Sequence, residues 1–414
     1  MYSRKLVDYK SKVIVNYRAF YILNFAVFTG MLGVGIVIPF LPIYAKTLGA
    51  TGVTIGVFFA SFSLAQMLFM PFISRWSDSH GRKWFIVCGL FLSSILSLWY
   101  VYAPSIGYLI VGRFFQGGMM ALVLPIASAY VGDLAPPQQR GTYLGIFNLF
   151  ITSSFGVGPL AGGWISDHYG IAASFYWMGG LTFLSFLAVL LLLPESHGSA
   201  QAKAQPTSYR ELLQQPKVKG LALYRMVNSI QMGLWFSFLP LLAAEVLQLD
   251  NSQIGTVIAT HMLVSSLVQV PAGRLADRMS RHTLVSLGGY LGSLAFLAVW
   301  YAQGFIHLLI IGAFTGALMA VAMPALTALA ADEGQNSGMG AVMGVLNMAM
   351  SVGMMLGPVL AGTLAEIFGL RLLFVFGAVV GVLGTLGFAR LSKQQGAPAL
   401  AAPDLRGRQT ELSV

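Results

Sequence analysis

Residues 19–45 read AFYILNFAVFTGMLGVGIVIPFLPIYA, a stretch of 27 residues without a charged side chain. A helix that crosses the hydrocarbon core of a bilayer needs about 20 such residues. The apolar core of a cleaved signal peptide is shorter, at roughly 7–15 residues. The stretch therefore predicts an uncleaved transmembrane helix.

The rest of the chain has the same character. Of its 414 residues, 57% are hydrophobic and 9% are charged, whereas soluble domains carry about 25% charged residues. Strands of a membrane barrel, about 9–11 residues of alternating polarity, are not evident in the sequence. The predicted spans are 19–45, 53–73, 84–103, 106–132, 141–166, 172–193, 222–244, 253–273, 283–302, 305–331, 340–365 and 371–389.

A polar stretch with three prolines, residues 194–220, separates two sets of six spans. Its composition predicts a cytoplasmic linker with a short amphipathic helix at 209–215. The predicted fold class is an all-α membrane protein with twelve transmembrane helices in two pseudo-symmetric six-helix bundles. The predicted parts are an N-terminal segment (1–18), the first bundle (19–193), the linker, the second bundle (221–390) and a cytoplasmic tail (391–414).

Lys and Arg are concentrated on one side of the predicted spans. With the N-terminus inside, the inner segments, including 194–225, hold 21 of the 24 basic residues, and the outer loops hold only Lys46 and Arg371. Because basic loops favour the cytoplasmic side, both termini are predicted to be cytoplasmic. The remaining basic residue, Arg113, is the only charge expected in the middle of a span. This distribution between apolar runs does not favour a nucleic-acid partner, despite the net charge of +10.

The second six spans repeat the first at a distance of about 199 residues. The matching positions include Phe40-Leu41-Pro42 with Phe238-Leu239-Pro240, Pro125 with Pro324, Asn148 with Asn347, and Gly158-Pro159 with Gly357-Pro358. Two parallel repeats of this kind are typical of secondary transporters, whose solute site lies between the repeats near the middle of the membrane. The repeat therefore predicts two bundles that rock against each other.

Three motifs resemble those of the major facilitator superfamily. Residues 74–83, SRWSDSHGRK, and 273–282, GRLADRMSRH, are similar to the family's loop G-x-L-A-D-R-x-G-R-K. Residues 113–117, RFFQG, resemble its R-x-x-Q-G signature, and residues 158–163, GPLAGG, resemble the signature of its antiporters. The resemblance covers roughly residues 19–390. It implies the drug–proton efflux branch, with a small-molecule substrate, a proton as coupling ion and a bacterial inner-membrane location.

The resemblance also implies a gate at the cytoplasmic side. Asp78 and Asp277 are expected near helix N-termini of the opposite half, where the helix dipole favours an anion. The expected ion pairs are Arg82 with Asp133 and Arg281 with Asp332. The alternative is that the basic residues only determine topology. The residues expected to allow close helix packing are Gly158, Pro159, Gly162, Gly163, Gly357 and Pro358.

The candidates for substrate binding and coupling are polar residues inside the spans. Arg113 is expected to bind an anionic group or to bias a nearby proton site, and the alternative is a structural role beside Gln116. None of the fourteen acidic residues falls in mid-membrane, which leaves His261 as a proton carrier or, alternatively, a structural donor. Asp133 is a second candidate for the proton carrier if the inward cavity reaches it. Further candidates are Asn24, Gln66, Asn148, Asn228, Gln231, Trp235 and Asn347.

The sequence thus predicts a monomeric secondary transporter, embedded in the lipid bilayer, that exports a small amphipathic or anionic organic solute in exchange for protons. One alternative is an uptake carrier or facilitator of a small metabolite. Another is a membrane sensor or lipid-handling protein that does not transport. The sequence has no nucleotide-binding loop of the G-x-x-x-x-G-K-[ST] type and only one cysteine, Cys88, so no enzyme activity, cofactor or metal is expected.

Overall fold

The computed structural model describes residues 2–136, 139–195 and 209–393. Within these ranges it contains helices and no strands, and twelve helices are long and apolar enough to cross a membrane. They are numbered as follows: α1 Tyr17–Thr47, α2 Gly52–Ser74, α3 Lys83–Val101, α4 Ile106–Leu134, α5 Arg140–Tyr169, α6 Ile171–Leu192, α7 Pro216–Val246, α8 Asn251–Ala276, α9 Arg281–Tyr301, α10 Phe305–Gln335, α11 Met339–Phe368 and α12 Leu372–Ser392. The predicted fold class is confirmed. Residues 196–208 of the predicted linker and 394–414 of the predicted tail lie outside the described residues.

Some of these spans are parts of longer helices, and some change their winding. Prolines at the first turns of two short segments of α1 explain its subdivision, because proline lacks the N–H that would continue the hydrogen-bond ladder. The bounds are Tyr2–Val37, a 3₁₀ turn Ile38–Phe40 and Leu41–Thr47 for α1; Gly52–His80 for α2; Pro216–Leu241 and a π turn Leu242–Val246 for α7; Arg281–Ala295 and a 3₁₀ turn Phe296–Tyr301 for α9; Phe305–Ser337 for α10; and Leu372–Lys393 for α12. In the linker region, one helical turn covers Tyr209–Leu212.

Helix α7 begins earlier than the sequence analysis predicted. Pro216 occupies its first turn, where a proline is favourable because its missing N–H has no helical partner anyway. The helix continues from there to Leu241, so the predicted start at residue 222 is wrong. Arg225, which belongs to the predicted inner segment 194–225, is the tenth residue of a spanning helix, and Arg113 is therefore not the only charge inside the spans.

Each half arranges its helices in the same order. In the first half, neighbours pack in the order α2, α4, α3, α6, α1 and α5, and in the second half in the order α8, α10, α9, α12, α7 and α11. The halves meet where α2 packs on α11 and where α5 packs on α8. The structure therefore repeats the pseudo-symmetry that the sequence repeat predicts.

The two ends of the molecule differ in how the halves are joined. We call the end between α2 and α3 (residues 74–83) the basic end, and the end between α1 and α2 (residues 47–52) the distal end. Towards the distal end, one apolar cluster contains buried side chains of both halves, such as Phe40 and Phe238. Towards the basic end, a cluster around Phe147 belongs to the first half alone, and one around Leu326 belongs to the second half alone. The halves thus share a core at one end only.

Candidate functional site

Glycines bring the backbones of the two halves together at the distal end. A Cβ built on Gly52 of α2 would lie 2.5 Å from the carbonyl oxygen of Gly362 on α11. A Cβ on Gly163 of α5 would lie 2.6 Å from the carbonyl oxygen of Asn251 at the start of α8. Side chains at these positions would hold the backbones apart. We call these two contacts, α2 with α11 and α5 with α8, the distal seam.

The predicted packing residues serve two different interfaces. In α5, Gly158 and Gly162 lie against Gly35 and Ile36 of α1 in the same half, whereas Gly163 lies against α8 in the other half. Helix α11 is arranged in the same way. Gly357 lies against Ile230 of α7, whereas Pro358 lies against Gly56 of α2 in the opposite half, and Pro159 of α5 likewise lies against Gly255 of α8. The glycine-proline segments therefore form bundle contacts with one face and the distal seam with the other.

Two carboxylates complete the distal seam. Asp167, at the end of α5, accepts hydrogen bonds from the backbone N–H of Asn251 (3.1 Å) and of Ser252 (2.8 Å) and from the Ser252 hydroxyl. Glu366, at the end of α11, accepts one from the backbone N–H of Val53 (3.0 Å). Each carboxylate thus binds the N-terminus of a helix in the other half, where free N–H groups and the helix dipole favour a negative charge.

The two carboxylate contacts are related by the sequence repeat. Asp167 and Glu366 are separated by 199 residues, as are their partners Val53 and Ser252. The helices that carry the carboxylates end alike, because Gly170 and Gly369 both have φ of 81°, a conformation that favours glycine. A third contact between the halves, Lys46 with Glu245, is an exposed ion pair at 3.7 Å.

At the basic end, the predicted ion pairs form within each half. Arg82 contacts both carboxylate oxygens of Asp133, with its Nε at 2.6 Å and its Nη2 at 3.3 Å. Arg281 lies 2.5 Å from Asp332 in the second half. The backbone N–H groups of Arg82 and Lys83 both donate to Glu195, which lies just after the end of α6. Between pairs of described side chains, no hydrogen bond or ion pair joins the two halves at this end.

Of the two predicted gating aspartates, only Asp277 has a described side chain, and it forms no such contact with another described side chain. Asp277 is exposed at the end of α8. The side chain of Asp78 lies outside the described residues. The predicted gate belongs to a state that is closed at the basic end, whereas this structure is closed at the distal end, so the gating roles remain predictions.

Arg113 is enclosed within the first half. Its Nη1 donates to Gln116 Oε1 at 2.6 Å, and its guanidinium lies over the rings of Phe58, Phe59 and Phe62 of α2, at 4.6–5.5 Å from their centroids. Cation–π contacts of this kind stabilise a desolvated arginine. Only 5% of the surface of Arg113 is exposed. This environment fits a structural role beside Gln116 better than a role in binding the solute.

The other predicted polar candidates fall into two groups. Asn24, Gln231, Trp235 and His261 are buried inside their own halves. His261 stacks on Trp235 at 4.7 Å, and its Nδ1 lies 3.2 Å from the Gly312 carbonyl oxygen. The second group is half-buried or exposed, and its side chains form no hydrogen bond with a described residue: Gln66, Asn148, Asn228 and Asn347. Only the second group is available to a ligand in this state.

The family model described as Major Facilitator Superfamily matches residues 23–250 and 221–409. The chain belongs to this superfamily. It is therefore a membrane transporter rather than an enzyme, as the sequence motifs predicted.

Relatives within the superfamily cover nearly the whole chain. An uncharacterized MFS-type transporter of Methanocaldococcus jannaschii is 30% identical, over 88% of this chain and 96% of the relative. Multidrug resistance protein 2 of Bacillus subtilis is 26% identical, over 91% of this chain and 95% of the relative. The crystal structure of a bacterial homolog of the human lysosomal transporter Spinster, in an inward-facing and unoccupied conformation, has a TM-score of 0.79 at 16% identity, over 91% of this chain and 97% of that one.

The structure of this superfamily member adds one intramembrane residue that the sequence analysis did not select. Arg225 of α7 reaches towards two methionines, with Nη1 at 3.3 Å from Met323 Sδ of α10 and Nη2 at 2.8 Å from Met350 Sδ of α11. The signal was present in the sequence, since a proline at position 216 marks a favourable helix start. A helix that starts at Pro216 places Arg225 within a membrane-spanning helix.

Proposed function

We propose that this transporter exports a small amphipathic or anionic organic solute by alternating access, in exchange for protons. The observation that carries the proposal is the difference between its two ends. A shared core and a pseudo-symmetric seam close the distal end, while separate cores keep the halves independent towards the basic end. Such an arrangement suits two bundles that rock about a solute site near mid-membrane.

The proposal places the basic end in the cytoplasm and the protein in the inner membrane as a monomer. The predicted inner segments hold 21 of the 24 Lys and Arg residues, which favours this orientation, with both termini cytoplasmic. The described state is then inward-facing. The two bundles supply both walls of the solute path, so the mechanism does not need a second copy of the chain.

Export is supported by α5 and by the relatives. The GPLAGG segment of α5 contacts α1 of its own half and α8 of the other half. Helix packing within the first bundle is therefore coupled to closure of the distal seam. The Bacillus subtilis relative is named as a multidrug resistance protein. Proton exchange is supported by the likeness of this segment to that of antiporters, and Asp133 and His261 remain the predicted titratable groups.

Transport in proteoliposomes tests the proposal. Purified protein is reconstituted, and counterflow of organic anions, cations and neutral solutes is measured with and without a pH gradient. The expected result is that the solute accumulates when a pH gradient is imposed. The solute should move in the direction opposite to the protons. Transport that ignores the gradient would remove the antiport claim and favour the facilitator, and lipid or partner binding without solute flux would favour the sensor.

A further inference from the structure

Arg225 is a charged residue whose hydrogen-bond donors are poorly satisfied. The polar contacts of its guanidinium with described residues are the two methionine sulfurs, Met323 Sδ and Met350 Sδ. A guanidinium carries five N–H donors, and a thioether is a weak acceptor. Two such contacts do not replace the hydration that the group loses inside a membrane.

No carboxylate among the described residues lies within ion-pair distance of Arg225. The described ion pairs within the second half, Lys217 with Glu333 and Arg281 with Asp332, lie at the basic end. A comparable charge in the first half, Arg113, contacts Gln116 and three phenylalanine rings. Among the described residues, no amide or aromatic ring makes such a contact with the Arg225 guanidinium, so its charge is not balanced by the protein in this way.

The position of Arg225 keeps it accessible. It lies nine residues after Pro216, which corresponds to roughly 13 Å along the helix. Helix α7 is one of the two most buried spans, yet the side chains of Arg225 and Asn228 both keep part of their surface exposed. Residues three apart lie on one helix face, so a guanidinium and a free side-chain amide are neighbours on the surface of α7.

The surroundings of Arg225 are apolar and adaptable. Eight of the nineteen methionines fall between Met319 and Met355, on α10 and α11. Unbranched thioether side chains fit apolar groups of different shapes. A wall of this kind with a guanidinium suits a molecule that has an apolar body and an anionic group.

We propose that Arg225 is the anion-binding residue of the solute site, and that the transported molecules are amphipathic organic carboxylates or sulfonates. The guanidinium would donate two parallel hydrogen bonds to the anionic group, Asn228 would donate a third, and Met323 and Met350 would contact the apolar body. This inference rests on the proposed transport function and names the substrate class for it.

Variants of Arg225 test the assignment with two dyes of opposite charge. Carboxyfluorescein is the anionic probe and ethidium the cationic probe, and both binding to purified protein and uptake into inside-out vesicles are measured. Arg225→Met should weaken carboxyfluorescein binding and uptake about tenfold or more, because a hydrogen bond to a charged group is lost. Arg225→Lys should retain part of the effect, and Arg225→Glu should shift the preference to ethidium. Lys219→Met, on the exposed start of α7, removes the same charge and should change nothing.

The outcomes separate this assignment from the transport proposal. If the wild type carries carboxyfluorescein and Arg225→Met carries it equally well, the role of Arg225 is wrong while transport stands. If the wild type carries ethidium alone and binds no carboxyfluorescein, the substrate class is wrong. If neither dye is transported, the transport proposal is weakened, and equilibrium binding of carboxyfluorescein to the Arg225 variants still decides the anion site. Elution volume and melting temperature in detergent identify variants that do not fold, and Arg225→Lys then replaces Arg225→Met.

Discussion

The two ends of this transporter use acidic residues in opposite ways. At the basic end, Asp133 and Asp332 pair with arginines of their own half. At the distal end, Asp167 and Glu366 bind backbone N–H groups of the other half. The first kind of contact is independent of how the halves are oriented, whereas the second exists only while the distal seam is closed. Asp133 and Asp332 thus stabilise the individual bundles, whereas Asp167 and Glu366 stabilise one conformational state of the whole protein.

This difference matters because the contacts that close one end of a carrier must also break during each transport cycle. A carboxylate at a helix N-terminus contributes a modest stabilisation, and water can replace it when the seam separates. Interlocked glycine backbones at the same seam add packing contacts that do not tolerate side chains. Two states of similar free energy can then exchange, since a shift of a few kcal/mol already moves such an equilibrium almost completely.

The largest expected effect concerns the stability of the first half. Arg82→Ala removes a two-point contact between side chains that are 8% and 13% exposed, and breaking a buried ion pair costs about 3 kcal/mol or more. Arg281→Ala breaks a pair that is 34% and 53% exposed, which should cost no more than about 1 kcal/mol. Melting temperatures in detergent measure both. Equal losses for the two variants would show that exposure does not distinguish the pairs.

The next effect concerns the distal seam. Gly362→Leu places a side chain against the backbone of Gly52, and overpacking typically costs about 1–3 kcal/mol. The population of the state with a closed distal seam should therefore fall about fivefold to a hundredfold. Transport should fall correspondingly. Spin labels at Tyr102→Cys and Tyr301→Cys, two exposed distal positions in different halves, report the opening in a Cys88→Ser background.

A matched glycine controls for the size of the new side chain. A Cβ on Gly180 of α6 meets no atom within 4 Å, so Gly180→Leu should leave both the label distances and transport unchanged. A Gly362→Leu variant with wild-type label distances would mean that the glycine contact does not determine closure.

Much of the fold was predictable because the sequence repeats itself. Charge-free runs indicated twelve spans, and the repeat of about 199 residues indicated two equivalent bundles. The pairs Arg82 with Asp133 and Arg281 with Asp332 were also predictable in part, because the spacing within each pair is 51 residues in both halves. These contacts depend on order along one half, which the sequence carries directly.

The distal contacts were not predictable in the same way. Asp167 and Glu366 are not among the sequence-predicted site residues, because their partners are backbone N–H groups, which have no residue-type signature. Their partners also lie 84–85 and 313 residues away, across the interface between the halves. Arg113 was favoured as a site residue because it is a charge in a span, but the three phenylalanine rings around it come from a different helix.

A smaller effect should distinguish the two seam carboxylates. Asp167 accepts three hydrogen bonds, whereas Glu366 accepts one from the N–H of Val53 and has weaker polar contacts with Thr51 and the N–H of Gly52. Asp167→Asn should lower the population of the closed distal seam about twofold to fivefold, and Glu366→Gln should act in the same direction but less. The spin-label pair at 102 and 301 measures both. Asp250→Asn is the control, because Asp250 caps its own helix; a shift as large as that of Asp167→Asn would mean that capping within α8, and not contact between the halves, sets the equilibrium.

The smallest effect is expected for the ion pair between the halves. Lys46 and Glu245 approach only to 3.7 Å, and their side chains are 50% and 40% exposed, so solvent screens most of their attraction. Lys46→Ala should therefore shift the label distances less than Asp167→Asn does, and 0.5 M salt should abolish the shift. If Lys46→Ala opened the distal seam more than Asp167→Asn, attraction between opposite charges would govern closure. The symmetric contacts of Asp167 and Glu366 with helix N-termini would then follow from the sequence repeat without stabilising the closed state.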